Sequence, residues 1–531
     1  MSNINPLLLC DFYKVGHKFQ YPSGTNLVYS NFTPRKSRIP GVEHIIFFGL
    51  QGFIKEYLID AFNNNFFKLP KEQAINSYRE FVESGLGPNA ITYDHIAALH
   101  DLQYLPIAIK ALPEGAKVPV RVPVLTMYNT HPDFYWLPNF LETLLSTQLW
   151  QPITSATIAN EYRKVLDKFA EETSTQPAFV DWQGHDFSFR GMSSVESAML
   201  SGAGHLLSFT GTDTIPAMWW LNKNYNAPTS SLIGGSVAAT EHSVMCAGEQ
   251  DGEFETFKRL ITEVYPTGIV SIVSDTWDLW KVLTDYLPRL KDVIEKRDGK
   301  VVIRPDSGDP ADIICGLNTG SDICSSEQAK HPSYKGVIEL LYDVFGGTKN
   351  DKGYIELPPY IGAIYGDSIT IERAKAILQR LKDKGFASTN VVFGIGSFTY
   401  QYNTRDTFGF AMKATYVEIE PEQGTECSVA GKCLEEEAIG HETNICSDGC
   451  VQGYRPTIKR AIFKDPITDD GTKKSAKGLL LVYKDKQTGD YALMDDVCSD
   501  SEGEGELKLI FQDSTLLEET SLEEIRSRLK G

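Results

Sequence analysis

The chain has 531 residues, of which 42% are hydrophobic and 23% are charged, and its formal net charge at pH 7 is -19. The composition is that of an ordinary globular protein, and the length predicts about two to four domains. An acidic surface repels polyanions, so the charge argues against binding to nucleic acid or to anionic membrane surfaces.

The N-terminal segment has no basic region and no apolar run long enough for a signal peptide. The sequence also has no stretch approaching the roughly 20 apolar residues of a membrane-spanning helix. We therefore expect a cytoplasmic protein with no membrane association. In that compartment the nine cysteines are expected to be reduced thiols.

Changes of sequence pattern divide the chain into three segments. Residues 1–180 mix aromatic-rich strands and helices. Residues 181–400 repeat a unit in which an apolar run leads into a small polar cluster and then into a helical segment. Residues 401–531 return to strand-like patterns, and they contain an acidic, cysteine-bearing insertion at about 419–455.

The repeated unit predicts an α/β architecture, either a barrel or a doubly wound sheet, because its apolar runs are typical of buried parallel strands. The runs and the polar clusters that follow them are Leu206–Phe209 before Gly211–Thr214, Ile269–Val273 before Ser274–Asp275, Val301–Ile303 before Arg304–Gly308, Ile361–Tyr365 before Gly366–Ser368, and Val391–Phe393 before Gly394–Ser397. In both architectures ligands bind at the carboxyl ends of the strands. The polar clusters therefore predict one shared site.

Arg304 and Asp306 are the clearest candidates for chemistry in that site. A guanidinium offers a rigid fork of donors that suits phosphate. A carboxylate two residues later can accept from both hydroxyls of a ribose or hold a metal ion that bridges phosphates. The competing interpretation is a surface salt bridge beside a Pro-Asp-Ser-Gly turn, and the residues alone leave both open.

The other candidates are weaker when each is taken alone. The Gly394–Ser397 and Gly366–Ser368 loops could cradle a phosphate or could simply turn the chain. Asp213 could bind a ligand or cap a helix. His242 gains interest if Asp275 orients it, and the aromatic segment His185–Gly191 could equally be core packing.

Taken together in chain order, these segments resemble the nicotinamide phosphoribosyltransferase family over nearly the whole chain. The matching segments are Asp11–Lys14 with His17, His185–Phe187 with Arg190-Gly191, Gly211–Thr214, Glu241–Ser243, Ser274-Asp275, Ile303–Gly308, Gly366-Asp367, Thr404–Asp406 and Phe463–Pro466.

The resemblance implies an irregular (β/α) barrel joined to a mixed β-sheet domain that N- and C-terminal segments build together. It implies a homodimer with shared active sites. It also implies transfer of a phosphoribosyl group from phosphoribosyl pyrophosphate to nicotinamide, giving nicotinamide mononucleotide and pyrophosphate on a salvage route to NAD. Mg²⁺ is the expected cofactor, and ATP is the expected co-substrate.

The resemblance also assigns roles to individual residues. Phe187 and Tyr13 of the partner subunit would stack on the two faces of the pyridine ring, and Asp213 would accept from the carboxamide NH₂. Arg304 would contact the amide oxygen or the phosphates, and Asp306 the ribose hydroxyls. The remaining substrate and phosphate contacts would be Arg190, Ser236, Ser271, Gly366, Asp367, Ser368, Gly396 and Ser397, with Arg35, Arg405, Lys413 and Lys464 contributed by the partner.

By the same resemblance, His242 would accept a phosphoryl group from ATP, and Asp275 could orient its imidazole for that attack. Asp275 and Asp306 are also possible Mg²⁺ contacts. Two alternatives stay open, a nicotinate phosphoribosyltransferase and a catalytically silent ligand-binding relative. Asp213 argues against the first, because it would repel the carboxylate of nicotinate.

The sequence departs from the family pattern in two places. The Gly394–Phe398 loop is poorer in glycine and bulkier at Phe398. The insertion at about 419–455 carries four cysteines near His441, which raises the possibility of zinc. Their spacing fits zinc ligands poorly, so a surface excursion with free thiols is favoured.

Overall fold

The computed structural model describes residues 4–317, 331–366, 369–421, 457–468 and 473–530. The chain forms two compact units, of which the first comprises Met1–Leu149 and Arg405–Glu519 and the second Trp150–Thr404 and Thr520–Gly531. The boundaries expected at about residues 180 and 400 stay a prediction. They were placed where the sequence pattern changes, whereas the two units are defined by how compactly the chain packs.

The first unit is built on a seven-stranded sheet whose described pairs are all antiparallel. Its strands, in spatial order, are Ile458–Ala461, Ala411–Ile419, Thr25–Thr33, Leu125–Asn129, Ile107–Ala111, Lys508–Gln512 and Thr515–Leu516. Three strands from the early part of the chain lie between two pairs of strands from the late part. The prediction that N- and C-terminal segments build one sheet together is confirmed.

The core of the first unit includes the completely buried aromatic side chains Phe47, Phe48 and Phe62. Lys71–Leu86 shows how the sequence specifies the helices of this unit, since Ala74, Ile75, Tyr78 and Val82 are buried at helical spacing and Gly87 ends the helix at φ 96°. The other helices are Phe12–Val15, His17–Gln20, Leu50–Phe53, the π-helical Ile54–Ala61 and Asn63–Phe67, Asp94–Leu102, Leu137–Phe140 and Ser499–Gly503. Two small antiparallel pairs join His44–Ile46 to Lys117–Pro119 and, as a hairpin, Leu479–Lys484 to Tyr491–Val497.

The second unit contains a seven-stranded parallel sheet. Its strands, in spatial order, are Gly211–Thr212, Gly184–Asp186, Val391–Ile395, Ile361–Tyr365, Asp298–Arg304, Thr267–Val273 and Ala238–Ala239. Every residue of Ile361–Tyr365 is buried, as expected for a strand covered on both faces.

This parallel sheet curls until its two edges meet. Gly235, just before the last strand, forms a parallel bridge with Gly211 in the first. The amide of Thr212 donates to the Gly235 carbonyl at 2.9 Å, and the amide of Gly235 donates to the Thr210 carbonyl at 2.8 Å. The predicted irregular α/β barrel is confirmed.

Helices follow the barrel strands as the repeated sequence unit predicts. Ile371–Asp383 buries Ala374, Ile377, Leu378 and Leu381, and Gly385 follows it at φ 81°. The other α-helices are Glu142–Thr173, Val180–Gln183, Val195–His205, Ile215–Asn224, His242–Ala247, Glu253–Arg259, Leu279–Lys281, Leu287–Lys296, Pro310–Cys315, Gly336–Phe345, Ser397–Gln401 and Leu522–Lys530, and Leu260–Val264 and Val282–Tyr286 are π-helical. A capping box opens the helix Leu522–Lys530, where Ser521 and Glu524 exchange hydrogen bonds.

One strand assignment is wrong. The apolar run Leu206–Phe209 is a turn that follows the helix Val195–His205, and the strand begins only at Gly211. The turn is fixed by backbone bonds such as Ser208 N–H to the His205 carbonyl, and its apolar side chains are buried for packing. Among the described residues, none of the helices is both long and apolar enough to cross a bilayer. The four described cysteines, Cys10, Cys246, Cys315 and Cys498, are free thiols.

Candidate active site

Phe187 directly follows the barrel strand Gly184–Asp186, and its ring lies against the backbone of Gly394. Its amide donates to the Ile395 carbonyl at 3.0 Å. A Cβ atom at Gly394 would lie 2.5 Å from Cδ2 of Phe187 and 2.8 Å from Cα of Gly366. Gly394 therefore serves close packing of the ring against the neighbouring strand.

Arg304 and Asp306 meet the Gly366 loop at the carboxyl ends of their strands. A Cβ atom at Gly366 would lie 3.0 Å from Oδ1 of Asp306 and 3.2 Å from Nε of Arg304. The guanidinium of Arg304 also lies over the Phe187 ring, with Cζ 5.1 Å from the ring centroid. The predicted common site thus brings these four residues together.

Arg304 does not fit the alternative of a surface salt bridge. It is only 8% exposed, and its Nη2 is 3.9 Å from Oδ2 of Asp306, too far for a hydrogen bond. Nε is buried and has no hydrogen-bond partner among the described residues. A buried donor of this kind suits an acceptor group on a ligand.

Asp213 is anchored through one oxygen of its carboxylate. Oδ1 lies 2.8 Å from Nε2 of His185 and accepts from the Ser236 hydroxyl at 2.5 Å. Burial raises the pKa of Asp213, but the hydrogen bond and charge of His185, the Ser236 bond and the charge of Arg304 outweigh it and lower the pKa below its usual 3.8. Within the described part of the chain, Oδ2 has no hydrogen-bond partner and can accept from a ligand.

His242 and Asp275 form a second group at the same end of the barrel. Oδ2 of Asp275 accepts from the Asp306 amide at 2.8 Å and from the Ser307 hydroxyl at 2.6 Å. Oδ1 is buried and lies 3.6 Å from Nε2 of the exposed His242. The carboxylate is therefore fixed on one side and turned toward the imidazole on the other.

The turn that carries Arg190 packs against Ser397. A Cβ atom at Gly191 would collide with the Ser397 side chain, so a glycine beside Arg190 permits this contact. Arg190 itself is exposed. An exposed cation next to a strand-end loop is an arrangement that suits phosphate binding.

Of three other predicted site residues, the structure describes Ser271 but not Asp367 or Ser368. Ser271 lies in the strand Thr267–Val273, and its buried hydroxyl has no hydrogen-bond partner in the described part of the structure. Asp367 and Ser368 lie outside the described residues, as do the four cysteines and His441 of the insertion.

The first unit holds the remaining predicted residues, Tyr13, Arg35, Arg405, Lys413 and Lys464. Lys413 is flanked by positive charges: burial lowers its pKa, Glu142 opposes this shift, and the charges of Arg35, Lys14 and Lys464 lower it further. Arg35 donates through Nε to the Gly409 carbonyl at 2.8 Å. In an acidic protein such a cluster of cations suits a polyanion.

Arg35 also borders a cavity, and Arg405 and Tyr13 are exposed. Arg35 lines a cavity of about 660 Å³ together with Lys36, Arg38 and Arg121. Arg405 is exposed and lies 3.2 Å from the Asp406 carboxylate, while Tyr13 is 61% exposed. Tyr13 is therefore available for contact with another molecule.

Sequence reasoning missed several residues that hold the site together. His185 and Asp186 belong to a segment for which core packing stayed open, and neither was given a role; His185 bonds Asp213, and the buried Asp186 accepts from the Ser188 amide. Ser307 bonds Asp275, and Lys14 belongs to the cationic cluster. The available signal was their position beside Phe187, Asp306 and Tyr13.

Comparison with known proteins agrees with this geometry. Residues 182–448 match the nicotinate phosphoribosyltransferase (NAPRTase) family, and residues 5–109 match the nicotinamide phosphoribosyltransferase N-terminal domain. A nicotinamide phosphoribosyltransferase of Acinetobacter baylyi is 48% identical over 99% of this chain and 97% of its own. The chain belongs to the nicotinamide phosphoribosyltransferase family.

A second relative shares less of its sequence with this chain. The nicotinamide phosphoribosyltransferase of Xanthomonas campestris is 31% identical over 98% of this chain and 97% of its own. Two solved structures share the fold. A nicotinate-nucleotide pyrophosphorylase of Pyrococcus furiosus has a TM-score of 0.52 and 14% identity, over 99% of this chain and 95% of its own. The human nicotinic acid phosphoribosyltransferase has a TM-score of 0.51 and 15% identity, over 98% of this chain and 92% of its own.

Proposed function

We infer that this protein transfers the phosphoribosyl group from phosphoribosyl pyrophosphate to nicotinamide, giving nicotinamide mononucleotide and pyrophosphate in NAD salvage. The observation that favours nicotinamide over nicotinate is the arrangement of the Asp213 carboxylate. Its Oδ1 is anchored by His185 and Ser236, which leaves Oδ2 to accept from a carboxamide NH₂. Nicotinate would place a carboxylate there and be repelled.

The reaction needs positioning more than proton transfer. The lone pair of the pyridine nitrogen forms a bond to C1 of the ribose, the bond from C1 to pyrophosphate breaks, and its electron pair leaves with pyrophosphate. Phe187 holds the ring, and Asp306 binds the ribose hydroxyls as positive charge develops on the sugar. Fixing both reactants removes much of the entropic barrier.

The leaving pyrophosphate gathers negative charge, and the cations of the chain stabilise it. Arg190 and Ser397 are the proposed phosphate contacts of the second unit. Arg35, Arg405, Lys413 and Lys464 are those of the first, contributed by the partner in a homodimer. Support for the partner's role comes from the exposed Tyr13 and from the clustering of Arg35 and Lys464 around Lys413.

Asp275 and Asp306 are the residues that would hold Mg²⁺. Oδ1 of Asp275 is buried and has no hydrogen-bond partner among the described residues, and Mg²⁺ commonly binds one or two carboxylates together with substrate phosphates. The described residues contain no group of three or more metal-ligand side chains, so phosphates and water would supply the other ligands. When bound, the ion would neutralise charge on the pyrophosphate.

We further propose that His242 accepts the γ-phosphoryl group of ATP. With Nε2–H directed at Oδ1 of Asp275, Nδ1 is the free nucleophile. The bond from Nδ1 to phosphorus forms, the bond from phosphorus to the ADP oxygen breaks, and ADP leaves. The separation of 3.6 Å must shorten by about 0.5 Å to make a hydrogen bond, which substrate binding would achieve.

Product analysis tests the proposed function. The enzyme is incubated with phosphoribosyl pyrophosphate and Mg²⁺ and with nicotinamide or nicotinate, in the presence and absence of ATP, and the nucleotides are separated by chromatography. We expect nicotinamide mononucleotide and one equivalent of pyrophosphate, with more product at equilibrium when ATP is present. Formation of only nicotinate mononucleotide would refute the assignment.

A further inference from the structure

Asp186 is a buried carboxylate that the proposed reaction does not use. It ends the strand Gly184–Asp186 with 0% exposure, and no ion pair among the described residues reaches it. Burial lowers the pKa of its neighbour His205. Nδ1 of His205 lies 2.7 Å from the Tyr400 hydroxyl and Nε2 lies 3.0 Å from the Gly211 carbonyl, so the imidazole makes its hydrogen bonds elsewhere and not to Asp186. A buried carboxylate without a cation is costly unless hydrogen bonds satisfy it.

Those hydrogen bonds come from both sides of the pyridine site. Oδ1 accepts from the Ser188 amide at 2.9 Å, immediately after Phe187. Oδ2 accepts from the Thr214 hydroxyl at 2.7 Å and from the Thr212 hydroxyl at 3.3 Å, and these two residues flank Asp213. The backbone carbonyl of Asp186 accepts from the Asp213 amide at 3.0 Å.

The surroundings keep this carboxylate dry. Ser188 and Thr214 have 0% exposure. A Cβ atom at Gly202, in the helix Val195–His205, would lie 3.2 Å from Oδ2 of Asp186. Because water cannot replace a lost partner here, each hydrogen bond has its full effect on the two turns it joins.

We propose that Asp186 is a positioning residue that fixes Phe187 and Asp213 relative to each other, and so sets both the affinity and the amide selectivity for the pyridine. The inference rests on the proposed function. Phe187 provides the stacking surface and Asp213 the amide acceptor, and one carboxylate ties together the turns that carry them. A shift of either turn misaligns the ring with the acceptor.

Substitutions of Thr214 test this without creating a new charge. Thr214→Val keeps the shape but removes the donor to Oδ2, and Thr214→Ser keeps the hydroxyl. We expect Thr214→Val to raise the KM for nicotinamide about tenfold, the loss typical of one hydrogen bond to a charged group. Its nicotinamide-to-nicotinate ratio of kcat/KM should fall similarly, while the KM for phosphoribosyl pyrophosphate stays within about twofold. Thr214→Ser should restore the wild-type values within about twofold.

Thr173→Val is the matched control. The Thr173 hydroxyl is also completely buried, donates to the Phe169 carbonyl at 2.6 Å and accepts from the Ser388 amide at 2.9 Å. Ser388 precedes the strand Val391–Ile395, so this bond lies at the end of the barrel away from the site. Thr173→Val should lower the melting temperature and leave both KM values and the selectivity unchanged.

Asp186→Asn is the second direct variant, with the same expected changes as Thr214→Val; should it fail to fold, the Thr214 pair decides alone. The proposal is overturned if Thr214→Val lowers the melting temperature as Thr173→Val does but leaves the KM for nicotinamide and the selectivity at wild-type values. A wild-type enzyme that converts only nicotinate would instead refute the proposed function. The same comparison, made on the KM for nicotinate, would then still decide the role of Asp186.

Discussion

Replacing Gly394 by alanine perturbs the pyridine site with a single methyl group. The new Cβ would lie 2.5 Å from Cδ2 of Phe187 and 2.8 Å from Cα of Gly366. Carbon atoms in contact prefer about 3.5–4.0 Å, so the ring has to move by about 1 Å. Overpacking of this kind costs about 1–3 kcal/mol of folding free energy. A loss of the same size in stacking on the displaced ring would raise the KM for nicotinamide about 5- to 150-fold.

Gly362→Ala is the matched control, since Gly362 is a buried glycine of the adjacent strand Ile361–Tyr365. A Cβ atom there would meet only the Lys300 side chain, at 3.6 Å, which is an ordinary contact. Steady-state kinetics with nicotinamide and with phosphoribosyl pyrophosphate, together with melting temperatures, separate a site effect from loss of stability. Equal KM values for nicotinamide in the two variants would refute the stacking role of Phe187.

Three further predictions follow from other parts of the chain. His242→Ala should abolish acid-labile phosphate labelling from γ-labelled ATP and the ATP-dependent gain in product, yet retain ATP-independent transfer; labelling that persists would exclude His242 as the acceptor. Burial raises the pKa of Glu253 to about 7 from 4.5, so stability should fall as pH rises between these values, and Glu253→Gln should remove that fall in melting temperature. Mixing inactive Tyr13→Ala and Asp306→Ala dimers after subunit exchange should restore about a quarter of the activity if subunits share sites, whereas no recovery would argue against sharing.

The barrel was predictable where its strands are long and apolar. The runs Ile269–Val273 and Ile361–Tyr365 read as parallel strands because barrel strands pack against helices on their outer face and against other barrel side chains on their inner face. The strands Gly184–Asp186, Gly211–Thr212 and Ala238–Ala239 have two or three residues each, too few for any periodic pattern. The strand predicted at Leu206–Phe209 is wrong because an apolar turn that is buried in the core has the same sequence pattern as a short strand.

The site was predictable to the extent that strand ends converge. Arg304 and Asp306 had an even alternative in the sequence, and the burial of Arg304 with an unpaired Nε decides against a surface salt bridge. The anchoring of Asp213 by His185, and of two turns by Asp186, depends on contacts between separate strands. Neither spacing nor composition carries that information.

The ratio of kcat/KM for nicotinamide to that for nicotinate, measured in the wild type and in Asp213→Asn, tests the central claim most directly. An anchored carboxylate with a free Oδ2 predicts a wild-type ratio above about 100, because the acid meets a like charge. Asparagine removes the charge and can donate to a carboxylate, so the ratio should fall below about 10. A wild-type enzyme that prefers nicotinate, or a ratio unchanged in Asp213→Asn, would contradict the account.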